Sequence, residues 1–219
     1  MHLTPTEKQF RLVIKPLLFV VCFSPFLALV AGVFNNTLGT NPVETLTHET
    51  GDWTLRFLLV TLAITPLRRL SGANWVIKLR RMFGLYAFFY ACLHFLTYIW
   101  FDHYFDWAEI LKDIPKRPFI TVGFTAFVLL IPLAATSTNG MMRRLKKNWI
   151  KLHKLVYIIA VLGVLHFLWL VKADIFEPMA YGAILLVLLG YRAYDQRRKG
   201  GNRPNSTQRR EAAKDAEIL

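Results

Sequence analysis

Cysteine is nearly absent from this chain of 219 residues. Its only two, Cys22 and Cys92, sit inside apolar runs, so a disulfide framework and a thiolate metal centre are both excluded, and each reads as a small core residue. No G-x-G-x-x-G sequence occurs and no βαβ unit fits, which excludes a nicotinamide-binding Rossmann domain within the chain. Acidic residues are scarce, 14 against 27 Lys and Arg, giving a formal net charge of +13. That excess is a common mark of nucleic-acid binders. Here, however, the basic residues fall between apolar runs of membrane-spanning length, so nucleic acid is excluded as a partner and the charge reads as topology.

What the chain has in abundance is hydrocarbon. It is 54% hydrophobic with a mean hydropathy of +0.35, too apolar for a soluble domain of this size, and this points to one all-α bundle in a lipid bilayer. Six segments approach the roughly 20 apolar residues that cross a bilayer: 16–34, 53–67, 82–101, 118–142, 155–171 and 178–191. The first follows Lys8, Arg11 and Lys15 in the manner of a signal peptide, yet no small-residue cleavage site precedes Asn35, so a retained span is expected. The second contains Arg56, expected to snorkel, and the sixth is short unless Tyr191 and Tyr194 extend it.

Lys and Arg set the orientation. Arg68, Arg69, Lys78, Arg80 and Arg81 lie between spans two and three, six more basic residues from Arg143 to Lys154 lie between four and five, and Arg192, Arg197, Arg198 and Lys199 follow span six. Acidic residues collect in the opposite loops, among them Glu44, Asp52, Asp102, Asp113, Asp174 and Glu177. The expectation is six transmembrane helices with both termini cytoplasmic. The organisation that follows is a cytoplasmic segment over 1–15, a six-helix unit over 16–194, and a disordered cytoplasmic tail over 195–219, poor in apolar residues.

Of six histidines, His2, His48 and His103 fall at a terminus or in outside loops and His153 at an inner interface, which leaves His94 and His166 deep in spans three and five. A polar side chain at that depth faces the bundle interior and has a partner or a ligand. The two differ in depth by only about 3 Å. Facing each other, they suit the two axial positions of one haem, a b-type electron carrier near the outer leaflet; an interhelical hydrogen bond to a hydroxyl is the alternative for each.

His153 precedes His166 by a rise of about 20 Å, suited to a second, inner haem, but about 140° separates the two on an ideal helix. Opposite it, span three offers Arg80 and Arg81 rather than histidine. Arg80 faces the His94 seam, where it can meet a haem propionate, a flavin phosphate or a quinone carbonyl, or either arginine simply anchors the inner end. His48 reads as a solvated loop histidine. The stretch from Asp102 to Lys116 reads as a solvated connection or a docking face, and Trp53, Trp100, Trp107 and Trp169 as an aromatic belt.

Several short motifs carry a resemblance. They are Asn41-Pro42-Val43 with His48 and Thr50-Gly51; Thr65-Pro66-Leu67; Arg80-Arg81 with Gly84-Leu85 and His94; Arg117-Pro118 with Thr121 and Gly123; Thr136-Ser137-Thr138; Trp149 with Leu152-His153 and Tyr157; and His166 with Leu168-Trp169. In these, over most of 41–172, the chain resembles the MsrQ (YedZ) family, haem-binding membrane subunits of periplasmic methionine sulfoxide reductase systems in the ferric-reductase-like transmembrane group. The resemblance implies haem b, one or two, at His94, His166 and His153. It implies electrons from quinol in the bacterial inner membrane, and a periplasmic molybdopterin-containing reductase subunit that receives them to repair oxidised proteins. Family members are also described with FMN. Such a chain is an electron-transfer subunit with no catalytic residues of its own. The alternatives are a ferric-chelate-type reductase with a separate flavin partner, and a transporter or scaffold in which His94 and His166 form a proton relay or hydrogen-bonded pair.

Overall fold

The computed structural model of the protein describes residues 5–171 and 175–201. His2, Lys172, Asp174 and the expected tail beyond 201 lie outside the described residues. Among those described, every regular element is helical and none is a strand. Hydrocarbon imposes this, because each backbone N–H and C=O must find its partner within the segment.

Helix α1 (Glu7–Asn35) starts at Thr6, whose hydroxyl caps Gln9 N while the Gln9 side chain returns a 3.0 Å bond to Thr6 N. Helix α2 (Pro42–Ser71) starts with an Asn41 cap and a proline where its missing N–H costs nothing. A 3₁₀ turn leads into α3 (Arg80–Thr97), which a π turn prolongs to Asp102. The short amphipathic α4 (Trp107–Lys116), capped by Asp106, precedes α5 (Pro118–Ala135). Helices α6 (Asn139–Leu145) and α7 (Lys147–Leu152) then lead to α8 (Leu155–Leu170), and α9 (Phe176–Gly201) follows.

Four stretches are long and apolar enough to cross a membrane: Glu7–Asn35, Asn74–Asp102, Pro118–Ala135 and Lys147–Leu170. Helices α2 and α9 match them in length but carry more polar residues. For α2 the reason is its position. It packs along α3 and also touches α8 and α9, so residues on several sides of it, such as Leu55, Phe57, Leu58 and Leu62, are covered by protein rather than lipid. Arg56 is engaged by protein groups. Its Nε donates to the Tyr181 hydroxyl at 2.9 Å, its terminal nitrogens lie 3.8 Å from Glu49 and 3.5 Å from Asp52, and its guanidinium covers the Trp53 ring.

Elsewhere the outer surface is apolar, with Leu12, Leu17, Val20, Phe34, Ile158, Leu186 and Val187 all exposed, the reverse of a soluble bundle. The α2–α3 interface is an aromatic stack of Trp53, Phe57, Tyr86 and Tyr90 with ring centres 5.5–6.2 Å apart. Tyr90 also repairs a break in α1. Pro25 interrupts that ladder, and the fully buried Tyr90 hydroxyl inserts there, donating to Cys22 O and accepting from Phe26 N, each at 3.0 Å.

Some boundaries differ from expectation. The fourth span ends at Ala135 rather than at 142, because Thr136 leaves helical geometry after Pro132 and Thr138 caps a new helix through Met141 N. The fifth begins at Leu155 as expected, after the helix breaks at His153 and Lys154. The last helix runs on through Gly201, past the expected start of the tail at 195. Polar contacts gather one end of the bundle. Lys78 pairs with Glu7, Arg69 with Asp195, and Arg81 bonds Asn139, which places the starts of α1 and α3 beside the ends of α2, α5 and α9.

Candidate cofactor site between two histidines

His94 on α3 and His166 on α8 face each other with ring centres 6.1 Å apart and planes at 75°. Each ring is fixed by a backbone carbonyl from a neighbouring helix. His94 Nδ1 lies 2.9 Å from Thr47 O on α2, and His166 Nδ1 lies 2.7 Å from Phe119 O on α5. A carbonyl only accepts, so each Nδ1 carries the proton and each Nε2 keeps its lone pair, with no hydrogen-bond partner among the described residues. The interhelical hydrogen bonds weighed from the sequence therefore exist, but they use backbone carbonyls and leave a ligating nitrogen on each ring. Two imidazoles on one metal, at about 2.0 Å per bond and about 1.1 Å from nitrogen to ring centre, stand roughly 6.2 Å apart. The observed spacing fits. Among the described residues no group of three His, Cys, Asp or Glu gathers to hold a bare ion.

The two rings are seated in the same way. A Cβ on Gly51 would crowd His94 Cε1 at 3.1 Å, and one on Gly123 would lie only 2.7 Å from His166 Nδ1 and force the ring to shift, so both backbones approach an imidazole closely. In each half the carbonyl residue lies 47 residues before its histidine, and the glycine follows it by one helical turn. Pairs α2–α3 and α5–α8 thus repeat one device, a parallel duplication of the kind that builds sites at a repeat interface. Equal Gly-to-His spacings were the sequence signal that could have revealed it.

Between the pairs lies a cavity of about 520 Å³, within the range of roughly 300–1,000 Å³ usual for cofactor sites. Leu55, Leu58, Phe124, Phe127 and Ile159 wall it, while His48, Asp52, Asp102, Arg117 and Glu177 border it. His48 is exposed yet belongs to this lining. Asp113 on α4, Tyr98, His103 and Arg117 form a hydrogen-bonded cluster at the same end that residue spacing did not disclose. Burial pushes the Asp113 carboxyl upward, but hydrogen bonds from Arg117, Tyr98 and His103 outweigh it and hold the carboxyl below its ordinary value.

His153, Arg80 and Arg81 do not line this cavity. His153 stacks on Trp149 at 3.9 Å and its Nδ1 lies 3.1 Å from Trp149 O. Its Nε2 is the one buried side-chain nitrogen or oxygen without a partner among the described residues. The 140° separation from His166 does not hold, because Lys154 N bonds Lys151 O and Tyr157 N bonds Lys154 O. Such 3₁₀ turns add about 20° per residue and rotate His153 by tens of degrees. Arg81 is engaged by Asn139 and by Met142 Sδ, and Arg80 is half-buried.

Membrane-length helices that close two imidazoles on one cavity define a ferric-reductase-like transmembrane protein, and the family model described as "Ferric reductase like transmembrane component" matches residues 50–164. A protein-methionine-sulfoxide reductase heme-binding subunit MsrQ of Herminiimonas arsenicoxydans is 58% identical over 193 residues, 87% of this chain and 88% of that one. The same-named subunit of Azospira oryzae is 48% identical over 206 residues, 93% of this chain and 88% of that one, and that of Xanthomonas campestris pv. campestris is 58% identical over 160 residues, 73% of each. The chain belongs to the MsrQ family. It is an integral membrane protein. No solved structure matches it.

Proposed function

We propose that the protein is the haem-binding membrane subunit of a methionine sulfoxide reductase system, passing electrons from membrane quinol to a catalytic subunit. The observation that carries this reading is the pair of Nε2 atoms left free by two carbonyl-anchored imidazoles whose ring centres stand 6.1 Å apart. Haem b held by His94 and His166 would supply a one-electron couple there, and the two imidazoles would leave no ligand position open to oxygen. The chain's own residues do the positioning. Thr47 and Phe119 fix the tautomer, Gly51 and Gly123 admit the rings, and the apolar walls keep water from the site.

The haem-bearing unit is the bundle over 16–194. Its six long helices cross the bacterial inner membrane with both termini cytoplasmic, a reading supported by the gathering of Arg69, Lys78 and Arg81 contacts at one end. His153 holds a second, inner haem, supported by its unpartnered Nε2; Arg80 and Arg81 on α3 would offer donors to its propionates or to an FMN phosphate. The partner is a periplasmic molybdopterin-containing catalytic subunit; the names of the relatives support a methionine sulfoxide reductase.

The test is spectral. Purified full-length protein is expected to show reduced b-type bands that His94→Ala and His166→Ala each weaken strongly, and membranes stripped of quinone are expected to lose reduction of those bands. A haem-free preparation that still supports the reductase refutes the proposal.

A further inference from the structure

The border of the cavity holds a charge arrangement that axial ligation leaves unused. Asp113 accepts from Arg117 Nε at 2.7 Å, from Tyr98 Oη at 2.9 Å and from His103 Nε2 at 3.2 Å. The side chains of Asp113 and His103 are 10% and 7% exposed, whereas that of Arg117 is 45% exposed. The carboxylate is thus saturated and held from three sides. Arg117 is gripped through Nε alone, and its two terminal nitrogens make no bond to protein among the described residues.

Position gives those nitrogens a purpose. Arg117 and Tyr98 both line the cavity that His94 and His166 share. Arg117 caps α5 two residues before Phe119, whose carbonyl holds His166, and Tyr98 follows His94 by one turn of α3. The cluster therefore ties together the border residues of both histidine-bearing halves. Among the described residues that line the cavity, Arg117 is the only lysine or arginine, while Asp52, Asp102 and Glu177 repel anions. Arg56, the nearby alternative cation, is engaged by Glu49, Asp52 and Tyr181 and does not line the cavity. A ligand that carries carboxylates into this cavity has one fixed, forked donor to meet, and a guanidinium held by its Nε presents the remaining pair as a planar fork.

We propose that Arg117 binds a carboxylate of the group seated between His94 and His166, a haem propionate, with Asp113, Tyr98 and His103 as positioning residues that hold the guanidinium. This rests on haem ligation by the two histidines. A fixed cation at the propionate disfavours the oxidised, more positive haem, so its loss lowers the midpoint potential.

The experiment uses the full-length protein in detergent, carrying either haem or haem dimethyl ester, whose propionates bear no charge. With haem, Arg117→Gln is expected to keep the low-spin spectrum but titrate at a lower potential than wild type, with Arg117→Lys in between. With haem, Arg117→Gln is also expected to lose the group faster than wild type to a haem-scavenging protein, whereas with the dimethyl ester, which removes the carboxylate but not the field of the cation, the two are expected to lose it at the same rate. Asp113→Asn, which leaves the cation but loosens it, is expected to lose haem faster to a haem-scavenging protein while losing the ester at the wild-type rate. Equal potentials for wild type and Arg117→Gln carrying haem overturn the propionate contact, as does an equal acceleration of loss by Arg117→Gln with haem and with the ester. Should Arg117→Gln fail to accumulate, unchanged haem loss from Asp113→Asn overturns it instead. A wild-type chain that binds no haem overturns the ligation itself.

Discussion

Adding one methyl group at Gly123 tests how the site is built. The new Cβ would lie 2.7 Å from His166 Nδ1, 2.8 Å from Cε1 and 3.0 Å from Cγ, so the ring must move away from α5. Overpacking of this kind costs about 1–3 kcal/mol. The 2.7 Å bond to Phe119 O goes with it, worth about 1 kcal/mol. Alanine returns about 0.5–1 kcal/mol through the helix backbone. The net is about 2 kcal/mol against the seated ring, or roughly a 30-fold weaker hold on haem. Gly51→Ala is expected to act in the same direction but less, since its Cβ would meet His94 at 3.1 Å. Gly84→Ala is the control, because its nearest neighbour is 3.9 Å away and the alanine can only help the helix. The assay is the rate of haem transfer to excess apomyoglobin, measured alongside the melting temperature. Wild-type haem retention in Gly123→Ala would show that the glycine does not seat the ring.

Three further outcomes follow from other parts of the molecule. His153→Ala is expected to lower the haem content per polypeptide in a pyridine haemochrome measurement while leaving the His94/His166 spectrum intact; an unchanged content removes the inner site. Tyr90→Phe strips the hydroxyl that serves Cys22 O and Phe26 N beside Pro25, and is expected to cost about 2 kcal/mol, read as a lower melting temperature. Because the folded Asp113 carboxyl ionises below its unfolded value of about 3.9, its contribution is complete above that value and is lost as pH falls through the lower folded value. Melting curves at descending pH are therefore expected to fall more steeply for wild type than for Asp113→Asn, and parallel curves would remove Asp113 as an acid-sensitive tie.

Helical class, the apolar segments and the pairing of His94 with His166 were legible because hydrocarbon leaves a chain few choices and makes a deep imidazole conspicuous. Helix α2 was harder to read. Its polar residues disguise a helix that protein covers on several sides, and Arg56 finds Tyr181 on a helix 125 residues away, which local pattern cannot supply. His103 looked like a loop residue for the same reason: its burial depends on α4 folding Asp113 back onto Tyr98. The angular argument against His153 assumed a continuous helix, and the i to i−3 bonds around Lys154 break that assumption. Gly51 and Gly123 were visible as letters but not as seats, because their meaning lies in a ring brought from another helix.

The central claim is that one haem is held between His94 and His166. Low-temperature electron paramagnetic resonance of the oxidised full-length protein tests it most directly. A low-spin signal of two imidazoles on one iron is expected in wild type and is expected to vanish in both His94→Ala and His166→Ala. Persistence of that signal in either variant contradicts the account.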